Sequence, residues 1–154
     1  MQLTEAQIWK KISNYCRYQE RSHLEVKTKL ISMGVWQVQR DKYICKLIEE
    51  GFLNEERFAI QFAGGKFRIK QWGKRKILAA LQQNNISSYL INTALGAIDD
   101  EAYLSCLEKL ALKKWNTLKG SNWDKRGKCY NFLIQKGYEP ENIKSAIEKI
   151  FSNS

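Results

Sequence analysis

Residues suited to covalent or acid–base chemistry are sparse in this chain and poorly spaced for it. A nucleophilic triad needs a histidine held between nucleophile and acid. The single histidine, His23, sits inside Ser22-His-Leu-Glu25, a spacing that caps a helix, so a solvated or capping role is expected of it. Cys16, Cys45, Cys106 and Cys129 include no C-x-x-C pair, whereas a zinc site normally draws two ligands from within a few residues. Each lies in an apolar helical pattern and reads as a reduced core or near-core thiol. Gly64-Gly65-Lys66 resembles part of a phosphate loop, but the Walker pattern would need Gly at Ile60 and Ser or Thr at Phe67. Close helix packing at Gly65 is the better reading. The acidic pairs Glu49-Glu50 and Asp99-Asp100 fall at helix ends, where the second suits the dipole of the helix that follows. No enzyme activity, metal or cofactor is expected.

Binding chemistry is better represented. The 154 residues carry 26 Lys and Arg against 16 Asp and Glu, a formal charge of +10. The surplus is uneven. Residues 1–50 hold 9 basic and 6 acidic side chains, residues 51–98 hold 7 and 2, and residues 99–154 hold 10 and 8. No acid occurs between Glu56 and Asp99, a stretch that carries Arg57, Lys66, Arg68, Lys70, Lys74, Arg75 and Lys76. Such a cluster raises the local potential and favours polyanions or acidic protein surfaces. A merely solvated face is the alternative, but selection for solubility alone normally mixes both signs. Phe67 lies among these cations, and on a helical wheel it points away from the main apolar stripe, beside Lys70 and on the side of Ile60. Either it stacks on a base or fills a partner's pocket, or a neighbouring unit covers it.

The elements that carry these residues read as helices throughout, with a single proline at Pro140. Phe58, Phe62, Gly65, Ile69 and Trp72 recur at spacings of 4, 3, 4 and 3, one apolar stripe on a helix. Asn54 stands where an N-cap would, followed by Glu55 and Glu56 at the positive end of the dipole. A second helix, about 73–83, carries Ile77, Leu78 and Leu81. Asn84-Asn85 interrupts it, and Ser87 or Ser88 can cap a third with Leu90, Ile91, Ala94, Leu95 and Ile98.

This unit recurs. Trp72-Gly-Lys-Arg75 has its counterpart in Trp123-Asp-Lys-Arg126, Leu81 in Leu133, and the turn residue Asn85 in Gly137. Packing roles are expected for both tryptophans. The long helix that opens the last unit is expected to bury Leu104, Leu107, Ala111, Trp115 and Leu118, and Pro140 fits the first turn of its last helix. A weaker copy precedes, with capping-box spacings at Thr4-Glu-Ala-Gln7 and Ser22-His-Leu-Glu25, then Val26, Leu30, Gly34 and Leu47 in register, and Gly51 closing its third helix. A period near 51 residues predicts an all-α protein of three tandem three-helix repeats, 1–51, 52–98 and 99–154, stacked as an elongated, curved array. The longest apolar runs are far short of the roughly 18 residues a membrane span needs. Met1-Gln2-Leu3-Thr4-Glu5 has no export pattern, so a cytoplasmic location is expected.

The run Gly51-Phe-Leu-Asn-Glu-Glu-Arg-Phe-Ala59, then Phe62-Ala-Gly-Gly-Lys-Phe-Arg68, Trp72-Gly-Lys-Arg-Lys-Ile77 and Leu81, closely resembles the RecX family of bacterial regulatory proteins. Arg21-Ser22-His-Leu-Glu25-Val, with Lys29-Leu30 and Gly34, is similar to that family's first-repeat signature. Asn54-Glu55 departs from the Asp common in the family at that point, a change compatible with capping. The resemblance implies a modulator of the RecA recombinase that binds in the groove of the RecA–single-stranded-DNA filament and restrains it without catalysis. The family supplies no short list of binding residues. Charge and helix geometry therefore nominate Lys66, Phe67, Arg68, Lys70, Lys74, Arg75 and Lys76 as the RecA- or DNA-facing set. The expected partners are the RecA filament and the DNA within it, the chain itself acting as a monomer without contact to a membrane. A general binder of single-stranded nucleic acid is the alternative.

Overall fold

In a computed structural model, which describes residues 2–152, local capping chemistry sets most helix boundaries. Thr4 opens α1 (Glu5–Tyr18) with a complete capping box: its hydroxyl accepts from Gln7 N at 3.2 Å, and Gln7 Oε1 accepts from Thr4 N at 2.9 Å. Ser22 and Glu25 repeat the device ahead of α2 (His23–Ser32). The chain continues through α3 (Gln37–Glu49), α4 (Glu55–Lys70), α5 (Lys74–Gln83), α6 (Ser88–Gly96), α7 (Asp100–Thr117), α8 (Asn122–Lys136) and α9 (Pro140–Ser152). Asn54 Oδ1 accepts from Arg57 N at 3.0 Å, Ser87 Oγ from Leu90 N at 3.3 Å, and Asp99 Oδ2 from Ala102 N at 2.9 Å. The result is an all-helical tandem-repeat fold.

One turn is repeated three times. Gly34, Asn85 and Gly137, which follow α2, α5 and α8, all adopt left-handed backbone, with φ of 79°, 58° and 100°. After each, the next N–H bonds back to the carbonyl of a leucine in the helix: Val35 to Leu30, Ile86 to Leu81 and Tyr138 to Leu133. This Schellman-type closure brings the helix's last leucine against the first apolar residue beyond it. All six of these apolar residues are buried, and Leu30, Leu81 and Leu133 completely so. Burying one leucine side chain contributes roughly 1.5–3 kcal/mol. The turn is thus anchored by its core residue in every copy.

The residues gather into two compact units. One comprises Met1–Phe62 with Leu81–Ala94, and the other comprises Ala63–Ala80 with Leu95–Ser154. The first has a core of Ile8, Ile12, Cys16, Val26, Leu30, Val35, Leu47 and Leu53, with Trp9, Tyr15 and Phe52 packed against it. The second packs α7, α8 and α9 against one another. It buries Tyr103, Leu107, Ala111, Trp115, Cys129, Leu133, Tyr138, Ile143 and Ile147.

Several sequence expectations are corrected. Ile69 is 79% exposed: it lies within about 20° of Phe58 on the wheel but in the last turn of α4, beyond the buried stretch through Phe58, Ala59 and Ala63. Trp123 is 83% exposed: α8 begins at Asn122, so Trp123 lies inside a helix, whereas its partner Trp72 lies ahead of one. On α7, Leu104 faces solvent and Tyr103 takes the buried place. Cys45 is exposed, while Cys16 and Cys129 are buried. Gly65 makes no close approach to anything. Its neighbour Gly64 is the packed one, under the guanidinium of Arg68.

Candidate functional site

The basic face is organised by the connector between α4 and α5. Gly73 has no side chain with which to cap α5, and its sequence surroundings offer no other cap. The donors at this helix start are instead satisfied from the last repeat. Gly73 N donates to Lys136 O at 2.8 Å, Arg75 N to Gly137 O at 2.9 Å, and Lys74 N to the Tyr103 hydroxyl at 2.8 Å. The Tyr103 hydroxyl donates to Glu139 Oε1 at 2.7 Å, and the Tyr138 hydroxyl donates to Gln71 O at 2.9 Å. Burial pushes both phenols far above their ordinary range, so each stays protonated and able to donate.

Backbone meets backbone here. A Cβ on Gly73 would overlap the carbonyl of Gly137 and the amide of Tyr138, and one on Gly137 would overlap the stem of Lys76. Gly137 is needed twice over, for its left-handed turn and for this approach.

The cations divide into two groups around this joint. Lys66 and Lys76 place their ammonium groups 4.9 and 4.6 Å from the centre of the Trp72 ring, so one half-buried indole orients two positive charges. Arg68 and Lys70 end α4 and face solvent, where they complement the negative end of its dipole. Arg75 and Lys76 are also exposed. Lys74 is not available in the same way. Its ammonium lies 4.8 Å from the Tyr103 ring centre and 3.7 Å from Asp100, with only 23% of the side chain accessible. Phe67 is half-buried against Tyr103, ring centres 5.7 Å apart. The packing role open to it in the sequence is thus present in this contact. The exposed basic set is therefore Arg68, Lys70, Arg75 and Lys76, with Lys66 held beside it on the indole.

Lys136, at the end of α8, joins this set and was missed by charge counting along the chain. Its Nζ donates to Lys70 O at 3.2 Å, and with Lys76, Phe132 and Gln135 it lines a shallow concavity. The signal that brings it here is tertiary, the Gly73–Gly137 approach. His23 lies elsewhere, with its backbone N–H donating to Glu55 Oε2 at 3.0 Å. Among the described residues no cluster of three His, Cys, Asp or Glu side chains is arranged to hold a metal ion. None of the described helices is long and apolar enough to cross a membrane.

Fold and surface together define a class: an all-helical protein of tandem three-helix units, presenting a cationic face built around backbone contacts. Residues 54–95 match the family model for the second three-helix domain of RecX, and residues 100–147 match that for the third. Over 132 residues the chain is 34% identical to the regulatory protein RecX of Chlorobium phaeobacteroides (strain BS1), covering 86% of this chain and 85% of that one. It is 31% identical over 134 residues to the regulatory protein RecX of Clostridium tetani, of whose length it spans 61%. The crystal structure of RecX from Lactobacillus salivarius superposes with a TM-score of 0.84 over 94% of both chains at 24% identity, a likeness of fold. This chain belongs to the RecX family of regulatory proteins.

Proposed function

We propose that this protein regulates a RecA recombinase in the cytoplasm by binding the RecA–single-stranded-DNA filament without catalysing a reaction. Lys66, Arg68, Lys70, Arg75 and Lys76 face the filament in this reading. The kinship with RecX proteins supports the partner. The observation that carries the surface is the run of cations without an intervening acid between Glu56 and Asp99, four of them exposed around one joint. Such a face lowers the free energy of approach to a polyanionic filament and raises the association rate.

The test is RecA-dependent ATP hydrolysis and strand exchange on single-stranded DNA, with the wild-type chain and with Lys70→Glu/Arg75→Glu/Lys76→Glu. Wild-type protein should inhibit, and the triple variant should need at least tenfold more protein for the same effect, since each reversal replaces attraction by repulsion. Lys109→Glu/Lys144→Glu, on exposed positions of α7 and α9, is the control and should inhibit like the wild type. Equal inhibition by the folded triple variant removes the assigned face from the mechanism. Salt separates the general nucleic-acid binder from the RecA regulator. Binding to bare DNA should weaken with a log–log slope of about 0.7 per phosphate contact. Binding to the filament should persist at salt concentrations where bare-DNA binding has been lost.

A further inference from the structure

We infer that α5 and α8 together form a subsite for one link of a single-stranded nucleic acid, in which Lys76 and Lys136 hold a backbone phosphate and Phe132 stacks on the adjoining base. This rests on the reading that the basic face meets the filament, and it extends that face to residues of the last repeat. The concavity that Lys76, Phe132, Gln135 and Lys136 line has a volume of about 190 Å3. Pockets that enclose a small molecule run to roughly 300–1,000 Å3. This one suits a single phosphate with the edge of its neighbour rather than a metabolite.

No carboxylate lines it, and both its cations are fixed in place. Lys76 rests on the Trp72 ring, and its stem lies against Gly137. The carbonyls of Lys136 and Gly137 are bonded to Gly73 N and Arg75 N, so the two lysines are tied through backbone and not through flexible loops. Lys136 commits one donor to Lys70 O at 3.2 Å, and an ammonium carries three.

The aromatic ring decides the class of ligand. An acidic protein segment would be served by the lysines alone. A half-exposed phenyl ring beside two lysines that line the same concavity is what an unpaired base uses, because every base presents a π-face. The Lys114 ammonium lies 4.8 Å from the same ring and adds positive potential to the site.

The test compares anisotropy of a fluorescein-labelled 15-nucleotide oligothymidylate with that of an abasic oligomer of equal length. Wild type, Phe132→Leu and Lys136→Gln are measured across a salt series, each checked for cooperative thermal unfolding. The leucine keeps apolar volume where alanine could loosen α8. Wild-type protein should bind oligothymidylate about tenfold more tightly than the abasic strand. Phe132→Leu should lose that preference while keeping its affinity for the abasic strand. Lys136→Gln should weaken both and lower the salt slope by about 0.7. Equal binding of both strands by wild type, or a preference that survives Phe132→Leu, overturns the subsite, as does displacement of both strands alike by polyglutamate.

The same proteins are run in the RecA ATPase assay. Inhibition by wild type with no base preference means that the regulator reading stands and the subsite fails. A base preference lost in Phe132→Leu, with no effect of wild type on RecA, means the reverse.

Discussion

The connector from α1 to α2 and the connector from α4 to α5 occupy the same place in successive repeats, and different groups hold them. In the first, side chains do the work. Ser22 is fully buried; its hydroxyl accepts from Glu25 N at 3.1 Å and donates to Asn84 Oδ1 at 3.0 Å. Glu20 accepts from Arg57 Nε at 2.7 Å, and a terminal nitrogen of Arg57 donates to Gly51 O at 2.8 Å. In the second connector, Gly73 replaces the capping side chain altogether, and carbonyls at the end of α8 bind the first amides of α5. Side-chain caps tolerate adjustment, because a rotamer can shift. Two backbones in contact cannot shift without moving the helices that carry them.

That difference predicts unequal responses to the smallest substitutions. Gly73→Ala should be the most damaging single change, costing roughly 3 kcal/mol, the upper end of overpacking, since its methyl meets the Gly137–Tyr138 peptide group and no flexible side chain. Cys129, fully buried in the same compact unit, reports the damage. Burial raises its thiol pKa, so it resists alkylation at neutral pH until that unit opens. In Gly73→Ala, Cys129 should label sooner while Cys16 stays protected. If Gly73→Ala unfolds at the wild-type urea midpoint, the contact between the glycines is not a constraint.

A milder loss is expected from Ser22→Ala, about 1–2 kcal/mol, from a lost cap and the lost bond to Asn84 Oδ1. Here Cys16 is the reporter, its thiol pushed up to about 11 by burial. It should label before Cys129 in pulsed alkylation. The reverse order of labelling would contradict the assignment of Ser22 to the other unit. Smallest of all should be Arg57→Ala, at most about 1 kcal/mol, because the arginine is 43% exposed and such pairs are screened by water and salt. Its double-mutant cycle with Glu20→Gln measures the pair directly, and a coupling well above 1 kcal/mol would show that the Arg57–Glu20 pair contributes more than a screened surface contact.

Local chemistry made the repeat pattern legible. The capping boxes, the N-caps at Asn54 and Asp99 and the three left-handed turns each depend on residues within about six positions of one another. Short-range geometry of this kind survives in any context. The same argument explains the misplaced residues. Ideal periodicity puts Ile69 and Leu104 on the core side, but which flank of a helix is buried depends on the partner laid against it, and both residues are exposed. Trp123 matches Trp72 in register along the sequence, yet α8 starts earlier than α5 relative to the motif, and an indole ahead of a helix does not project like one inside it.

The sequence by itself determined the helices, their caps, the threefold turn and the positive charge of the middle stretch, because propensity, capping and charge are local properties. It also determined kinship, through motifs spread over two repeats. Only the tertiary structure decided which cations stand ready. Lys74 is drawn to Asp100 and Tyr103, and Phe67 packs half-buried against Tyr103. Lys136 is brought beside Lys76 from the far end of the chain. The physical reason is common to all three. Whether a side chain is solvated, paired or stacked is fixed by neighbours distant in sequence: α7 supplies them to Lys74 and Phe67, and a contact between two glycines carries Lys136 into place.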